Sequence, residues 1–307
     1  MDIIEEFLHI FKAIFKRYLS LILWFLIESQ KIILMYLCEQ LILMERCESM
    51  NISKMWILVI AVPLTIVVIV VGGWYGLKLN KEKEIKDSFS KTLNMYPIKN
   101  LEDLYEKEGY RDNEFEKEDK GTWILDSEMA VKNGGEDMVA EGMVLELNRN
   151  KREAKGYYFI NKYSNNVDKY DYGEKETKYP VEMKDNKFYL TKKVKDKNLE
   201  NKIKTFKFFS QYGNFKEMDS YKNGNLSYNP EVPSYSAEYQ LSNKDVNVKK
   251  LRKTYNIPTK KAPKLTMSGN EKLSGNSVGR EKIEYLFVRN KKEIIKFTDS
   301  INYRPSF

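Results

Sequence analysis

Two residue types are almost missing from this chain. Histidine occurs once, at His9, and cysteine twice, at Cys38 and Cys47, so 78–307 contains neither. That stretch has no disulfide, no thiolate or imidazole nucleophile pair, no histidine general base and none of the usual zinc ligands. Its glycines are also poorly patterned. Gly134 and Gly135 stand apart from Gly213, and Gly269, Gly275 and Gly279 lie among serines without a Lys-Ser/Thr pair opening a helix. Neither a phosphate-cradling loop nor a dinucleotide fingerprint is present. Residues 165–171 lack the Asp/Asn alternation ending in Glu that a calcium loop needs. The sequence assigns no catalytic residue, no cofactor and no metal site.

What is present is unevenly spread. The 307 residues carry a net charge of +8 and are 42% hydrophobic and 31% charged. Six basic and seven acidic residues precede position 78, which leaves the rest at +9, with 18 of the 21 tyrosines. That aromatic supply is enough for a packed core and argues against disorder. Cysteine-free export and heavy Lys, Asn, Ile and Tyr usage fit a Gram-positive bacterium with an AT-rich genome.

Long apolar runs are confined to the first quarter. Residues 55–77 hold no charge over 23 positions, between Lys54 and Lys78, with Trp56 at one end and Trp74 and Tyr75 at the other. At about 1.5 Å per residue the run spans about 34 Å, against about 30 Å of bilayer hydrocarbon. The expectation is one N-terminal transmembrane helix, an anchor or uncleaved signal over 50–77, with the lipid bilayer as partner through 55–77. Residues 1–49 read either as an interfacial amphipathic helix or as an extension ahead of a true start at Met50. Lys78, Lys81, Lys83 and Lys86 follow the run, and a charge count alone would keep that side in the cytoplasm.

Beyond the run the spacing predicts a charged helix over 81–93, with Ile85, Phe89 and Leu93 on one stripe, and a short helix over 100–107 capped by Asn100. Alternation then predicts strands over 122–131, 143–148 and 156–163, a second hairpin around 184–186, and a last one joining 282–288 to 294–300. Helical spacing returns over 198–212 and 248–255. The expected class is α+β, an antiparallel sheet with packed helices. Tyr96, Asp103, Tyr105 and Trp123 match Tyr212, Asp219, Tyr221 and Tyr239 at one offset of 116. The alternatives are two pseudo-repeated halves or chance similarity in a biased composition.

Lys249, Lys250, Arg252 and Lys253, with Lys260 and Lys261, form the densest basic patch. An anionic cell-wall polymer or a host-surface protein fits that charge; so does a solvated face that only keeps the domain soluble. No nucleic-acid motif accompanies it. Glu114, Glu116, Glu118 and Asp119 are interleaved with Lys117 and Lys120 and read as a solvated turn.

Several stretches resemble the tandem-type lipoproteins of staphylococci: Lys91-Thr-Leu-Asn-Met-Tyr-Pro-Ile-Lys-Asn-Leu-Glu-Asp-Leu-Tyr105, Glu108-Gly-Tyr-Arg-Asp112, Lys120-Gly-Thr-Trp123, Gly142-Met-Val-Leu145, Lys155-Gly-Tyr-Tyr158, Phe206-Lys-Phe-Phe209, Gln211-Tyr-Gly-Asn-Phe215, Tyr228-Asn-Pro-Glu-Val-Pro-Ser-Tyr-Ser-Ala237, Tyr239-Gln-Leu-Ser-Asn243 and Ile257-Pro-Thr-Lys-Lys-Ala-Pro-Lys264. The likeness runs over about 80–307. It implies an extracytoplasmic domain over 78–307 on a single-pass, membrane-anchored surface protein linked to host-cell entry, with no family catalytic residue to carry over. One departure stands out: members end their lipobox in a lipidated cysteine, whereas here Val71, Gly72 and Gly73 are followed by Trp74. The leading functional expectation is a non-enzymatic interaction protein at the host or cell-wall surface. The alternatives are a cell-wall glycan hydrolase using a carboxylate pair and a ligand-free surface antigen or spacer.

Overall fold

A computed structural model describes residues 52–111, 114–163, 174–222, 224–270, 278–290 and 293–306, without the side chains of 52–66, 68, 71, 74, 75 and 289. The extension 1–49 and the candidate start at Met50 lie outside the described residues. The chain divides into two units at Leu77/Lys78.

Helix α1 runs Ile52–Leu93. Ten strands follow: β1 Thr122–Lys132, β2 Met138–Asn148, β3 Glu153–Tyr163, β4 Glu174–Lys184, β5 Lys187–Leu190, β6 Asn225–Asn229, β7 Ser234–Gln240, β8 Lys264–Gly269, β9 Arg280–Asn290 and β10 Glu293–Arg304. Helix α2, Lys197–Lys204, lies between β5 and β6, and α3, Val246–Tyr255, between β7 and β8. All ten strands form one sheet in the order β5-β4-β3-β2-β1-β10-β9-β8-β7-β6. The ladders in that order are antiparallel, and β1 pairs over its full length with Ile294–Arg304 of β10 at the centre.

Three expectations need correction. The predicted α+β balance gives way, among the described residues, to a ten-stranded antiparallel sheet with three α-helices. The apolar run does not form an element of its own: no proline or glycine separates Leu77 from the charged turns that follow, and α1 continues unbroken to Leu93. Among the described residues no helix is long and apolar enough to cross a membrane. The pseudo-repeat also fails. Trp123 sits on central β1 and Tyr239 on β7, next to the edge strand β6, so positions related by the offset of 116 occupy inequivalent places.

Alternation along the strands divides the sheet into two faces. One face carries Trp123, Leu125, Met143, Leu145, Tyr235, Met267, Tyr285, Phe297 and Ile301, all buried. Ile85, Phe89 and Leu93 of α1, the single-turn segment Leu101–Tyr105, Ile203 of α2, Phe208, Phe209, and Val248 and Leu251 of α3 belong to the same core. Phe209 is its hub, with ring centroids 5.3 Å from Phe297, 5.7 Å from Tyr285 and 5.2 Å from Tyr212. The opposite face presents Asp126, Glu128, Lys282, Glu284, Lys296, Ser300 and their neighbours.

Local chemistry explains several connections. The β4–β5 turn places both Asp185 (φ 51°) and Asn186 (φ 55°) in the left-handed region, where short polar side chains are tolerated. Gly279 adopts φ 90°, and a Cβ there would lie 2.3 Å from the Trp123 ring, so the turn into β9 requires glycine. Asn100 caps Leu101–Tyr105 by accepting from the Glu102 amide at 3.1 Å.

Candidate functional site

Helix α3 begins where the Asp245 carboxylate accepts from the amides of Asn247 and Val248, both at 2.9 Å, and ends at Asn256, a left-handed C-cap (φ 48°). Val248 and Leu251 are buried, which turns Lys249 and Lys253, one helical turn apart, outward. Arg252 and Lys253 occupy the last turn, where cations oppose the negative end of the helix dipole.

The six basic residues singled out in the sequence do not play one role. Lys250 Nζ donates to the Tyr212 carbonyl at 2.7 Å and ties α3 to the segment after α2. Arg252 stacks over Phe287 (5.3 Å to the ring centroid) and donates to the carbonyls of Thr259 and, at 2.7 Å, Lys261, and to Asn243 Oδ1 at 2.9 Å. Burial lowers its pKa from the ordinary value. Asn243 Nδ2 donates to the Lys260 carbonyl at 2.7 Å, and Gln240 Nε2 to the carbonyls of Ala262 and Pro263 at 3.2 Å. Segment 256–263 is thereby strapped along the end of α3 by its own carbonyls. The side chains of Lys249, Lys253, Lys260 and Lys261 are exposed around that strap. Lysine density was legible in the sequence; the separation of two tethers from four outward cations was not, because it depends on carbonyls that converge only after folding.

Trp74 lies within α1, and its side chain is outside the described residues. Of the acidic cluster, Asp119 is structural: Oδ1 accepts from the Gly121 amide at 2.8 Å and from Asn150 Nδ2 at 2.6 Å, and Oδ2 from the Ser306 amide at 2.8 Å.

Sequence reasoning missed a buried polar knot. Asp299, 1% exposed, accepts from Ser127 Oγ and, at 2.8 Å, from Tyr96 Oη, while Ser127 Oγ accepts from the Phe209 amide at 3.1 Å. Burial pushes the Asp299 carboxyl up to about 7 against the opposing hydrogen bonds from Ser127 and Tyr96. The only signal was Asp299 at an inward position of the alternating run 294–303.

A polar cleft of about 320 Å³ opens at one end of the central strands, lined among others by Glu146, Asn148, Lys151, Glu153, Lys155 and Arg304. Both its carboxylates are ion-paired, Glu146 to Arg304 at 3.0 Å and Glu153 to Lys155 at 2.8 Å. Among the described residues no group of three or more His, Cys, Asp or Glu could hold a metal ion.

Comparison with known proteins places this arrangement in a lineage. The Csa1 family matches residues 81–306. An uncharacterized lipoprotein of Staphylococcus aureus strain N315 is 55% identical over 231 residues, 75% of this chain and 90% of the relative. One from strain USA300 is 56% identical over 231 residues, with the same shares. Another, from strain MSSA476, is 54% identical over 250 residues, 81% of this chain and 96% of the relative. The match runs from the charged turns of α1 to the end of β10, taking in the sheet, its covering layer and the strapped basic helix, and the chain belongs to the Csa1 family.

Proposed function

We propose that this chain is a membrane-associated, surface-exposed bacterial interaction protein, without enzymatic activity, that binds an anionic polymer of the cell wall or host surface through α3 and segment 256–263. The observation that carries the reading is the Arg252 strap. It anchors the backbone at Thr259 and Lys261 and leaves Lys249, Lys253, Lys260 and Lys261 exposed at one end of a fixed helix. Clustered ammonium groups on a rigid support suit a polyanion, whose charges need no single geometry.

Membership among proteins named lipoproteins supports surface exposure and membrane association. A thioether lipid at position 74 is ruled out by chemistry, since Trp74 has no thiol and Cys47 is the last cysteine in the chain. Metabolic labelling with a fatty-acid probe should leave residues 48–307 unlabelled; a labelled fragment from that range would refute this. The ion-paired cleft carboxylates give no support to the hydrolase alternative, because Lys155 holds Glu153 below the usual carboxylate range, the wrong direction for a general acid.

The binding test is retention of the full chain on immobilised polyphosphate. Reversing Lys249, Lys253, Lys260 and Lys261 to glutamate should abolish retention at moderate salt. Reversing Lys187, Lys192, Lys193 and Lys195, an equal change in net charge elsewhere, should leave most of it. Equal loss in both variants would make the effect one of net charge and overturn the assignment.

A further inference from the structure

The face of the sheet opposite the helices carries a second constellation that the basic helix does not explain. Asp126 and Glu128 lie on β1, two residues apart and on the same side of the strand, about 6.5–7 Å from one another by strand geometry. Glu128 pairs directly with Thr298 on β10, which pairs in turn with Glu284 on β9. Directly paired side chains have Cβ atoms about 4.5–5.5 Å apart, and diagonal ones about 7–8 Å, so Thr298 is within reach of both acids. Thr298 is 5% exposed, and its Oγ1 is buried without a hydrogen-bond partner; Asp126 Oδ1 is in the same condition. Buried polar atoms are normally paired, so two orphans at diagonal positions on one face of adjacent strands mark a place where something else bonds.

The surrounding charges limit what that partner is. Glu284 lies 3.6 Å from Lys296 Nζ and 3.9 Å from Lys282 Nζ. No lysine or arginine among the described residues makes an ion pair with Asp126 or Glu128. The group is therefore anionic and half-buried, and the register places Asp126, Glu128 and Thr298 on one face of two adjacent strands. A guanidinium, a planar fork, prefers both oxygens of one carboxylate; a primary ammonium has three N–H groups splayed from one point. We infer that Asp126, Glu128 and Thr298 Oγ1 form a binding site for a primary ammonium group, one N–H to each. This site shares no residue with the polyanion-binding face and does not depend on it.

Its pH dependence follows from the surroundings. Burial pushes the Asp126 carboxyl up to about 7, with Glu128 adding and Lys282 opposing. The groups around it are Glu128 on its own strand, Lys296 on β10, Lys282 and Glu284 on β9 and Glu146 on β2. An ammonium ligand favours the ionised form, so binding strengthens as pH rises from about 6 to about 8 and releases a proton at the lower end.

The test is carboxyl-carbon NMR of the full chain, titrated with Nα-acetyl-lysine amide and with its Nε-acetylated form. The free amine should shift the Asp126 and Glu128 resonances saturably and more tightly at pH 8 than at pH 6; the acetylated form should not. Asp126→Asn should weaken binding about tenfold or more, the equivalent of one charged hydrogen bond. Thr298→Val should weaken it several-fold and Thr298→Ser restore it, which separates loss of the hydroxyl from a folding defect. Glucosamine supplies the second source: competition with the lysine probe assigns recognition to the ammonium itself, whereas binding of lysine alone adds its alkyl chain to the site. Equal shifts from both lysine probes, no saturable shift, or unchanged affinity in Thr298→Val would overturn the inference.

Discussion

At the scale of single residues, the most consequential group lies in the core, apart from both proposed binding faces. Asp299 sits in the core with two donors and an ordinary carboxylate alternative in the unfolded chain. Unfolded, it ionises near 3.8; folded, near 7. Between those values the folded protein holds a proton that the unfolded one has lost, so stability is greatest below about pH 4 with respect to this group and falls as pH rises to about 7. For one carboxyl the slope approaches about 1.4 kcal/mol per pH unit. Denaturant unfolding of Asp299→Asn across pH 4–8 should show a flatter profile than the wild type. An equally steep decline would assign the dependence elsewhere, with Asp126 as the next candidate. The alternation of 294–303 placed Asp299 inward, but its partners Ser127, Tyr96 and the Phe209 amide come from distant parts of the chain and were not readable from it.

At the scale of elements, α1 shows what sequence spacing can and cannot say. The stripe of Ile85, Phe89 and Leu93 was legible and is fully buried. Lys86 was counted among the lysines that follow the apolar run. In the fold, Lys86 and Glu82 are buried as an ion pair at 3.1 Å, with Lys86 Nζ also donating to the Tyr221 carbonyl. Breaking one side should be severe: Lys86→Met leaves an uncompensated buried carboxylate and should cost about 3–5 kcal/mol, whereas Glu82→Gln with Lys86→Met should recover most of that loss. Thermal unfolding of the two variants checks it, and equal destabilisation of single and double variants would mean the pair is held by packing alone. Strands with β-branched or aromatic alternation, β1, β3, β9 and β10, were also legible. β6 and β8 were not. The first is a short edge strand with Leu226 as its one aliphatic residue among Asn, Ser and Tyr, and the second runs into Gly269, whose serine-rich surroundings read as loop.

At the scale of the molecule, the order of strands was the hidden quantity. Local alternation shows that hairpins exist; it does not reveal that the first and last strands close on each other at the centre. That β1·β10 contact, across more than 160 residues of chain, brings Asp126 beside Ser300 and Glu128 beside Thr298 and so creates the proposed ammonium site. It also defeats the internal-duplication reading. The basic face was half legible for the opposite reason. Its lysines are local in sequence, and only the strap that sorts them into tethers and outward cations needed the fold.

The measurement that bears most directly on the functional account is the affinity of the full chain for soluble polyphosphate as a function of salt. Four outward lysines acting together predict binding that weakens steeply between about 0.05 and 0.2 M salt, as screening and counterion release require, and a nearly salt-independent residue of binding when those four are reversed. Wild-type affinity insensitive to salt, or a salt dependence unchanged by the four reversals, would contradict it.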